Sequence, residues 1–73
     1  MKWGIVMVFK LKTDYITLSQ ILKVYDVIQS GGQAKEYLAT AIVLVNGQQE
    51  QRRGRKLYRG DIVEVEDLRI EIE

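Results

Sequence analysis

Two short helices and the turn between them are encoded by the stretch TLSQILKVYDVIQSGGQAKEYLATA, residues 17–41. Thr17 and Gln20 have the spacing of a capping box, in which the threonine hydroxyl and the glutamine amide each accept a hydrogen bond from a free backbone N–H at the start of a helix. Ile16 and Ile21 flank the box at the spacing of a hydrophobic staple. This pattern predicts that the first helix begins at Thr17.

Both predicted helices are amphipathic. One face of the first helix is apolar, and Ser19, Lys23 and Asp26 point to water. Ser30 and Gln33 then repeat the capping spacing across a pair of glycines. The apolar positions are Leu18, Ile21, Leu22, Tyr25 and Ile28 in the first helix and Ala34, Tyr37, Leu38 and Ala41 in the second. We therefore expect a helical hairpin in which the free backbone N–H groups of the second helix lie at the glycine turn.

Strands are expected on either side of this hairpin. Val43-Leu44-Val45 runs into Asn46-Gly47, the strongest short signal for a hairpin turn, so Asn46 is assigned to the turn and not to base recognition. Further strands are predicted over residues 62–65 and 68–72, and a first one over about 8–12, where apolar and charged residues alternate. Two helices packed on a small antiparallel sheet form an α+β domain.

The first and last predicted strands carry complementary charges. Lys10 and Lys12 are spaced to face Glu71 and Glu73 if the strands pair antiparallel, and each such pair contributes about 0.2–1 kcal/mol. The apolar face of the two strands is then expected to cover the helical hairpin. Its members are Phe9, Leu11, Ile70 and Ile72.

A strongly basic segment lies between the predicted strands. It reads RRGRKLYR, residues 52–59, and five of its eight residues are cationic. Charge that is fixed on a rigid frame loses less entropy when a polyanion binds, and arginine forks match phosphate oxygens and stack on unpaired bases. The segment therefore indicates either a polyanion-binding loop or a solubilising surface loop.

Composition and charge distribution narrow the function classes. Residues 1–60 carry ten Lys/Arg and four Asp/Glu, and residues 61–73 carry one Arg and six acids, so a formal net charge of +1 conceals a cationic part that can face a partner. The chain has no cysteine and no histidine, which removes thiolate sites and the usual general base. A non-enzymatic protein without cofactor or metal is expected.

The apolar run over residues 3–9 is too short for a membrane span and lacks a signal-peptide cleavage site, so we expect a cytoplasmic protein.

The order of these motifs resembles the αL RNA-binding motif, the S4-type domain named after small-subunit ribosomal protein S4. The resemblance covers residues 17 to about 66 and rests on the helical hairpin, the Val-x-Val-Asn-Gly of residues 43–47, the basic segment, and the following Gly-Asp and Val-x-Val. The chain is most similar to the stand-alone bacterial members whose turn reads Ser-Gly-Gly-x-Ala-Lys, here residues 30–35. Many members carry an arginine at the position of Thr17 and another at that of Gly31, whereas Lys35 and Lys23 supply the cations here.

The resemblance implies a single S4-type domain over residues 1–73, acting as a monomer on structured RNA. The implied partner is ribosomal RNA or a ribosomal particle, with a role in assembly of the large subunit. A helix N-terminus with glycines can bind a phosphate and let the RNA backbone approach closely, although plain capping and the conformational freedom of glycine would explain the same residues. The predicted RNA-binding residues are Lys23, Ser30, Gly31, Gly32, Gln33, Lys35, Arg52, Arg53, Arg55 and Lys56.

Two further alternatives concern base stacking by aromatic residues and a function other than RNA binding. Tyr25, Tyr37 and Trp3 could stack on bases, but both tyrosines lie on apolar helix faces, which favours core packing. The alternative function is a small protein-interaction adaptor that uses the exposed edge of its last strand. The basic segment separates the two hypotheses, because an adaptor has no reason to keep it.

Overall fold

Residues 4–73 fold into two helices and seven short strands. A computed structural model describes residues 4–73, and Trp3, one of the stacking candidates, lies outside them. The elements in chain order are β1 (Ile5–Phe9), β2 (Ile16–Thr17), α1 (Leu18–Val24), a 3-10 turn (Gly31–Gln33), α2 (Ala34–Thr40), β3 (Val43–Val45), β4 (Gln48–Gln49), β5 (Lys56–Leu57), β6 (Ile62–Val65) and β7 (Leu68–Ile72).

The strands form a five-stranded sheet and a separate two-stranded ladder. The order in the larger sheet is β1-β7-β6-β3-β4, and β2 pairs with β5 in the ladder. All pairs are antiparallel except β1 with β7, which is parallel. The predicted α+β class, a helical hairpin packed on a small sheet, is confirmed, and β3, β6 and β7 span the residues that the sequence predicted.

Helix α1 begins as the capping box predicts. Thr17 is the N-cap, the Gln20 N–H donates to the Thr17 hydroxyl at 3.3 Å, and the Gln20 amide oxygen accepts from the Thr17 N–H at 2.9 Å. The Asn46-Gly47 turn is also as predicted, because both residues have positive φ, 53° and 83°. The Asn46 side chain closes this turn by bonding Asp61 and the Ile62 N–H, so its role is structural.

The core lies between the helical hairpin and one face of the sheet. Tyr25 and Tyr37 are half-buried and pack against this core, as their positions on the apolar helix faces predicted. The buried apolar side chains are Leu11, Leu18, Ile21, Leu22, Ile28, Ala34, Leu38, Val43, Val45, Leu57, Val63, Val65, Ile70 and Ile72. Within residues 4–73, neither helix has the length and the apolar character that crossing a membrane requires.

The first strand differs from its prediction in both position and direction. It spans Ile5–Phe9 in place of residues 8–12, and it pairs parallel to β7, with Val8 opposite Glu71 and Phe9 opposite Ile72. The predicted antiparallel pairing, with lysines facing the two glutamates, is therefore wrong. The run Ile5–Phe9 is rich in β-branched residues, which suit a strand better than the lysine-containing segment that follows it.

Of the four apolar side chains predicted to be covered, three are buried and Phe9 is half-buried, whereas the side chains of residues 5–8 in β1 are exposed. Leu11, Ile70 and Ile72 are buried. The ring of Phe9 packs against the core and meets the Tyr25 ring edge-to-face, with the two ring centroids 6.4 Å apart. Parallel pairing leaves the same side chains of β7 inside, because the side chains of a strand alternate between the faces of the sheet whatever the direction of its neighbour.

Candidate nucleic-acid interface

The basic loop, defined as residues 52–56, is organised by one buried carboxylate. Glu50 is only 7% exposed. Its Oε2 accepts from Arg52 Nε at 3.0 Å, and its Oε1 accepts from Arg52 Nη2 at 3.0 Å and from Arg55 Nη1 at 2.7 Å. The backbone N–H groups of Gln51 and Arg52 also donate to Oε2, at 3.1 and 3.0 Å. One carboxylate thus fixes two arginine side chains and the start of the loop.

These contacts set the charge of the loop. Hydrogen bonds from the Arg52 side chain lower the pKa of Glu50 to about 2, with further help from the Arg52 backbone and from Arg55, although burial acts in the opposite direction. Glu50 is therefore ionised at neutral pH, and together with its two arginines it carries one net positive charge. The Arg52 side chain is 74% exposed, so it can still contact a ligand.

Acid is expected to weaken this arrangement. Because the pKa of Glu50 is lower in the folded protein than its ordinary 4.5, its contribution to stability is complete above pH about 4.5 and is lost as the pH falls towards about 2. Glu50→Gln should abolish that part of the acid sensitivity, since the amide does not titrate. Denaturation midpoints of both proteins across this pH window test the point, and parallel curves would contradict it.

The loop is also tied to the start of helix α1. The N–H groups of Leu18 and Ser19 donate to the carbonyl oxygens of Arg55 and Arg53, at 2.9 and 3.0 Å. With the capping box, these bonds satisfy the N–H groups of the first turn, which would otherwise lack partners. The N-terminus of α1 consequently holds the basic loop in place and is not open to a ligand.

The other two loop cations are differently placed. Arg53 and Lys56 are exposed and take part in no ion pair within residues 4–73. Lys56 Nζ lies 4.8 Å from the centroid of the Tyr15 ring, a cation–π contact. Of the four predicted loop residues, two are therefore held by Glu50 and two are available without breaking an ion pair.

The glycine turn forms the second predicted part of the site. The side-chain oxygen of Gln33 accepts from the N–H groups of Gln29 and Ser30, at 2.5 and 3.3 Å, so this side chain closes the turn. Neither Gly31 nor Gly32 has positive φ, and the nearest atom to an added Cβ is Ser30 Oγ, 3.9 Å from that of Gly32. The backbone therefore does not need glycine at either position, and the explanation by conformational freedom fails.

The remaining predicted lysines flank these two parts. Lys23 is exposed in the last turn of α1 and lines a surface depression with Tyr15 and Gln20, and Lys35 is exposed as the second residue of α2. The turn contributes Gln33 to a different depression, which it shares with Gln29 and Glu36. The structure thus holds Arg52 and Arg55 on Glu50, and the basic loop and the glycine turn line different surface depressions.

Comparison with known proteins identifies the architecture. The family model described as S4 domain matches residues 9–73. The chain belongs to the S4 domain family. This S4 domain is 59% identical over 56 residues to the protein named Probable ribosome maturation protein RlbA of Bacillus subtilis (strain 168), and the match covers 77% of the chain and 79% of that relative.

Three residues of this S4 domain escaped the sequence reasoning. Glu50 was overlooked, although it is the one acid between Glu36 and Asp61 and stands next to the cations. Tyr15 and Tyr58 were not considered, yet both are exposed beside the basic loop, with ring centroids 6.2 Å apart. The position of Glu50 next to the run of cations could have indicated its role, whereas no local sequence pattern indicates a role for the two tyrosines.

Proposed function

We propose that this S4 domain is a non-enzymatic RNA-binding module that recognises structured RNA. The observation that carries the proposal is the basic loop, which is held on Glu50 and on the first turn of α1 and projects its cations from a fixed backbone. Fixed cations neutralise phosphates at a smaller entropic cost than mobile ones. The solubilising-loop hypothesis offers no reason for a buried acid beneath the arginines.

The glycine turn supports the same function. Glycine costs stability in helical segments relative to alanine, by about 0.5–1 kcal/mol, and its retention here is not required by the backbone. Gly31 and Gly32 in the turn and Gly54 in the basic loop lack positive φ, and apart from neighbouring residues of the chain the nearest atom to any of their added Cβ positions is Ser30 Oγ, 3.9 Å from that of Gly32. Open space without side chains lets an RNA backbone come close to the protein.

The partner is proposed to be ribosomal RNA or a ribosomal particle. The relative in Bacillus subtilis is named a probable ribosome maturation protein, and this supports a role in assembly of the ribosome, with the large subunit as our specific proposal. We place the protein in the cytoplasm as a monomer. Crosslinking it in cell extract and sequencing the attached RNA tests this: enrichment of large-subunit RNA is expected, and an even spread over all cellular RNA would refute it.

An enzymatic role has little support from the acids. Glu64 and Glu71 on the outer face of the sheet both bond Arg69, at 3.2 and 3.5 Å, so they form an ion-paired network. Glu64 is only 8% exposed, so its carboxylate is held by Arg69 in a buried position. Within the part of the chain that the structure describes, no group of acids could hold a metal ion.

The adaptor hypothesis loses its proposed surface. It required an exposed edge on the last strand, but β7 lies between β1 and β6. The free edges of the larger sheet belong to β1 and β4 and not to the last strand. RNA binding through the loop and the turn is therefore the better proposal.

Substitutions in the glycine turn separate a contact role from a structural one. We expect Gly32→Val to lower RNA affinity about tenfold, equivalent to about 1.4 kcal/mol, because a side chain blocks the approach of the backbone. Stability should change little, since the backbone angles there suit any residue. Lys35→Ala should also lose affinity and keep stability. Filter binding and thermal denaturation decide: unaltered binding in both variants would remove the turn from the site.

A further inference from the structure

The β2–β5 ladder presents two tyrosines on the surface. In this ladder Ile16 pairs with Leu57 and Thr17 with Lys56, so Tyr15 and Tyr58 follow as the next positions in register. Side chains alternate along a strand: Leu57 is buried in the core, and Lys56 and Tyr58 on either side of it are exposed. Tyr15 and Tyr58 remain 40% and 49% exposed.

The two rings are arranged so that one of them is open to a ligand. Their planes are tilted by 54°, which leaves no parallel slot between them. Lys56 Nζ covers the Tyr15 ring. The ring of Tyr58 thus has Tyr15 on one side, and of the two tyrosines it is Tyr58 that lines a depression with residues of the basic loop.

The backbone of Tyr58 is fixed. Its N–H donates to Asp61 Oδ2 at 2.8 Å, and its carbonyl oxygen accepts from the Asp61 N–H at 3.0 Å. The other Asp61 carboxylate oxygen accepts from the Asn46 side chain, which ties the segment to the β3–β4 turn. A side chain on a fixed backbone has fewer conformations to lose when a ligand binds, which lowers the entropy cost of binding.

Tyr58 and the loop cations line one surface depression. The depression is shallow and open to solvent, and its walls are Arg52, Gly54, Arg55, Lys56 and Tyr58. A flat apolar ring in this position offers a stacking surface, and the cations around it suit a phosphate on either side of the stacked group. An aromatic ring among cations is the arrangement with which proteins bind unpaired nucleotides.

We propose that Tyr58, supported by Tyr15, stacks on an unpaired nucleobase of the bound RNA while Lys56 and the arginines contact the adjoining phosphates. This rests on the proposed RNA-binding function and specifies its substrate class: RNA with a loop, bulge or single-stranded end. The bases of a continuous duplex are already stacked on each other, so their faces are closed to a stacking side chain. A protein partner would have to be an acidic peptide, and it is kept as an outcome of the test.

The test compares an RNA hairpin with an adenine loop and a blunt duplex of the same stem. A fluorescent purine analogue in the loop reports stacking. We expect Tyr58→Ala to weaken hairpin binding about 5- to 150-fold, the effect of losing one stacked base, and to abolish the fluorescence change. Duplex binding and the salt dependence should be unchanged, because no charge is removed. Tyr58→Phe should retain hairpin binding, and Ile42→Ala, which removes an exposed apolar side chain elsewhere, serves as the control.

The outcomes distinguish this inference from the function on which it rests. Equal hairpin affinity for Tyr58→Ala and the unaltered protein would overturn the stacking site. RNA binding through the basic loop would still stand if the double variant Arg53→Ala with Lys56→Ala bound the hairpin more weakly than the unaltered protein. Failure of the unaltered protein to bind either RNA would overturn both. Tyr58-dependent binding of a polyglutamate peptide, with hairpin binding independent of Tyr58, would reassign the surface to a protein partner and overturn the stacking site.

Discussion

Replacing Arg53 and Lys56 by alanine is expected to weaken binding to every RNA tested and to flatten its salt dependence. Each neutralised phosphate contributes a slope of about −0.9 on a duplex and about −0.7 on a single strand, in log affinity against log salt. Two lost contacts should therefore reduce the slope by about 1.4–1.8 units. Stability should change little, because neither side chain forms an ion pair within residues 4–73.

This double variant is a cleaner test than removing all four loop cations. Removing the side chains of Arg52 and Arg55 as well would leave the buried Glu50 carboxylate with two backbone N–H donors but without its ion-pair partners, so the fold itself would weaken. A matched control is Lys10→Ala with Lys12→Ala, which deletes the same charge from exposed positions near the end of β1. If the control flattened the slope as much as the loop variant, net charge and not the loop would govern binding.

Glu50→Ala is expected to lower both stability and RNA affinity, although it makes the protein more positive. The substitution removes the acceptor of the bonds from Arg52, Arg55 and two backbone N–H groups. Because both guanidinium groups are partly exposed, we expect a loss of about 2 kcal/mol, equivalent to a fall of roughly 10 °C in melting temperature for a domain of this size. The arginines then move freely, and binding requires ordering them.

The sign of the affinity change is the decisive measurement. If charge alone set the affinity, removing an acid beside the loop would tighten RNA binding. We expect weaker binding, measured well below the melting temperature of each protein. Glu36→Ala serves as the control, because it deletes an exposed acid that forms no ion pair in the described part of the chain. Tighter RNA binding by Glu50→Ala would show that the charge of the loop, and not the fixed position of its arginines, governs affinity.

Local sequence signals were sufficient for much of the fold. The capping box located the start of α1 because both of its hydrogen bonds join residues three apart. The Asn-Gly turn and the strand Val43–Val45 before it were likewise encoded by neighbouring residues. The position and direction of β1 were not, because they depend on which free edge remains after β7 has paired with β6.

The candidate site was predictable only in part for the same reason. A run of cations is visible in any sequence, but the bonds that hold it come from a carboxylate at its border and from the first turn of a helix more than thirty positions earlier. Tyr15 and Tyr58 meet through strands of two residues each. Strands so short have no alternation to detect, so the pair becomes visible only in three dimensions.

The parallel pairing of β1 with β7 imposes an order on the assembly of the domain. Ile5 meets Leu68, 63 positions later, whereas β6 and β7 are joined by a tight turn. Closing the longer loop costs more chain entropy, and contacts so distant in sequence form late in folding. During synthesis the segment Ile5–Phe9 therefore leaves the ribosome early and finds its partner strand last. Its apolar side chains lack that neighbour until residue 72 has emerged.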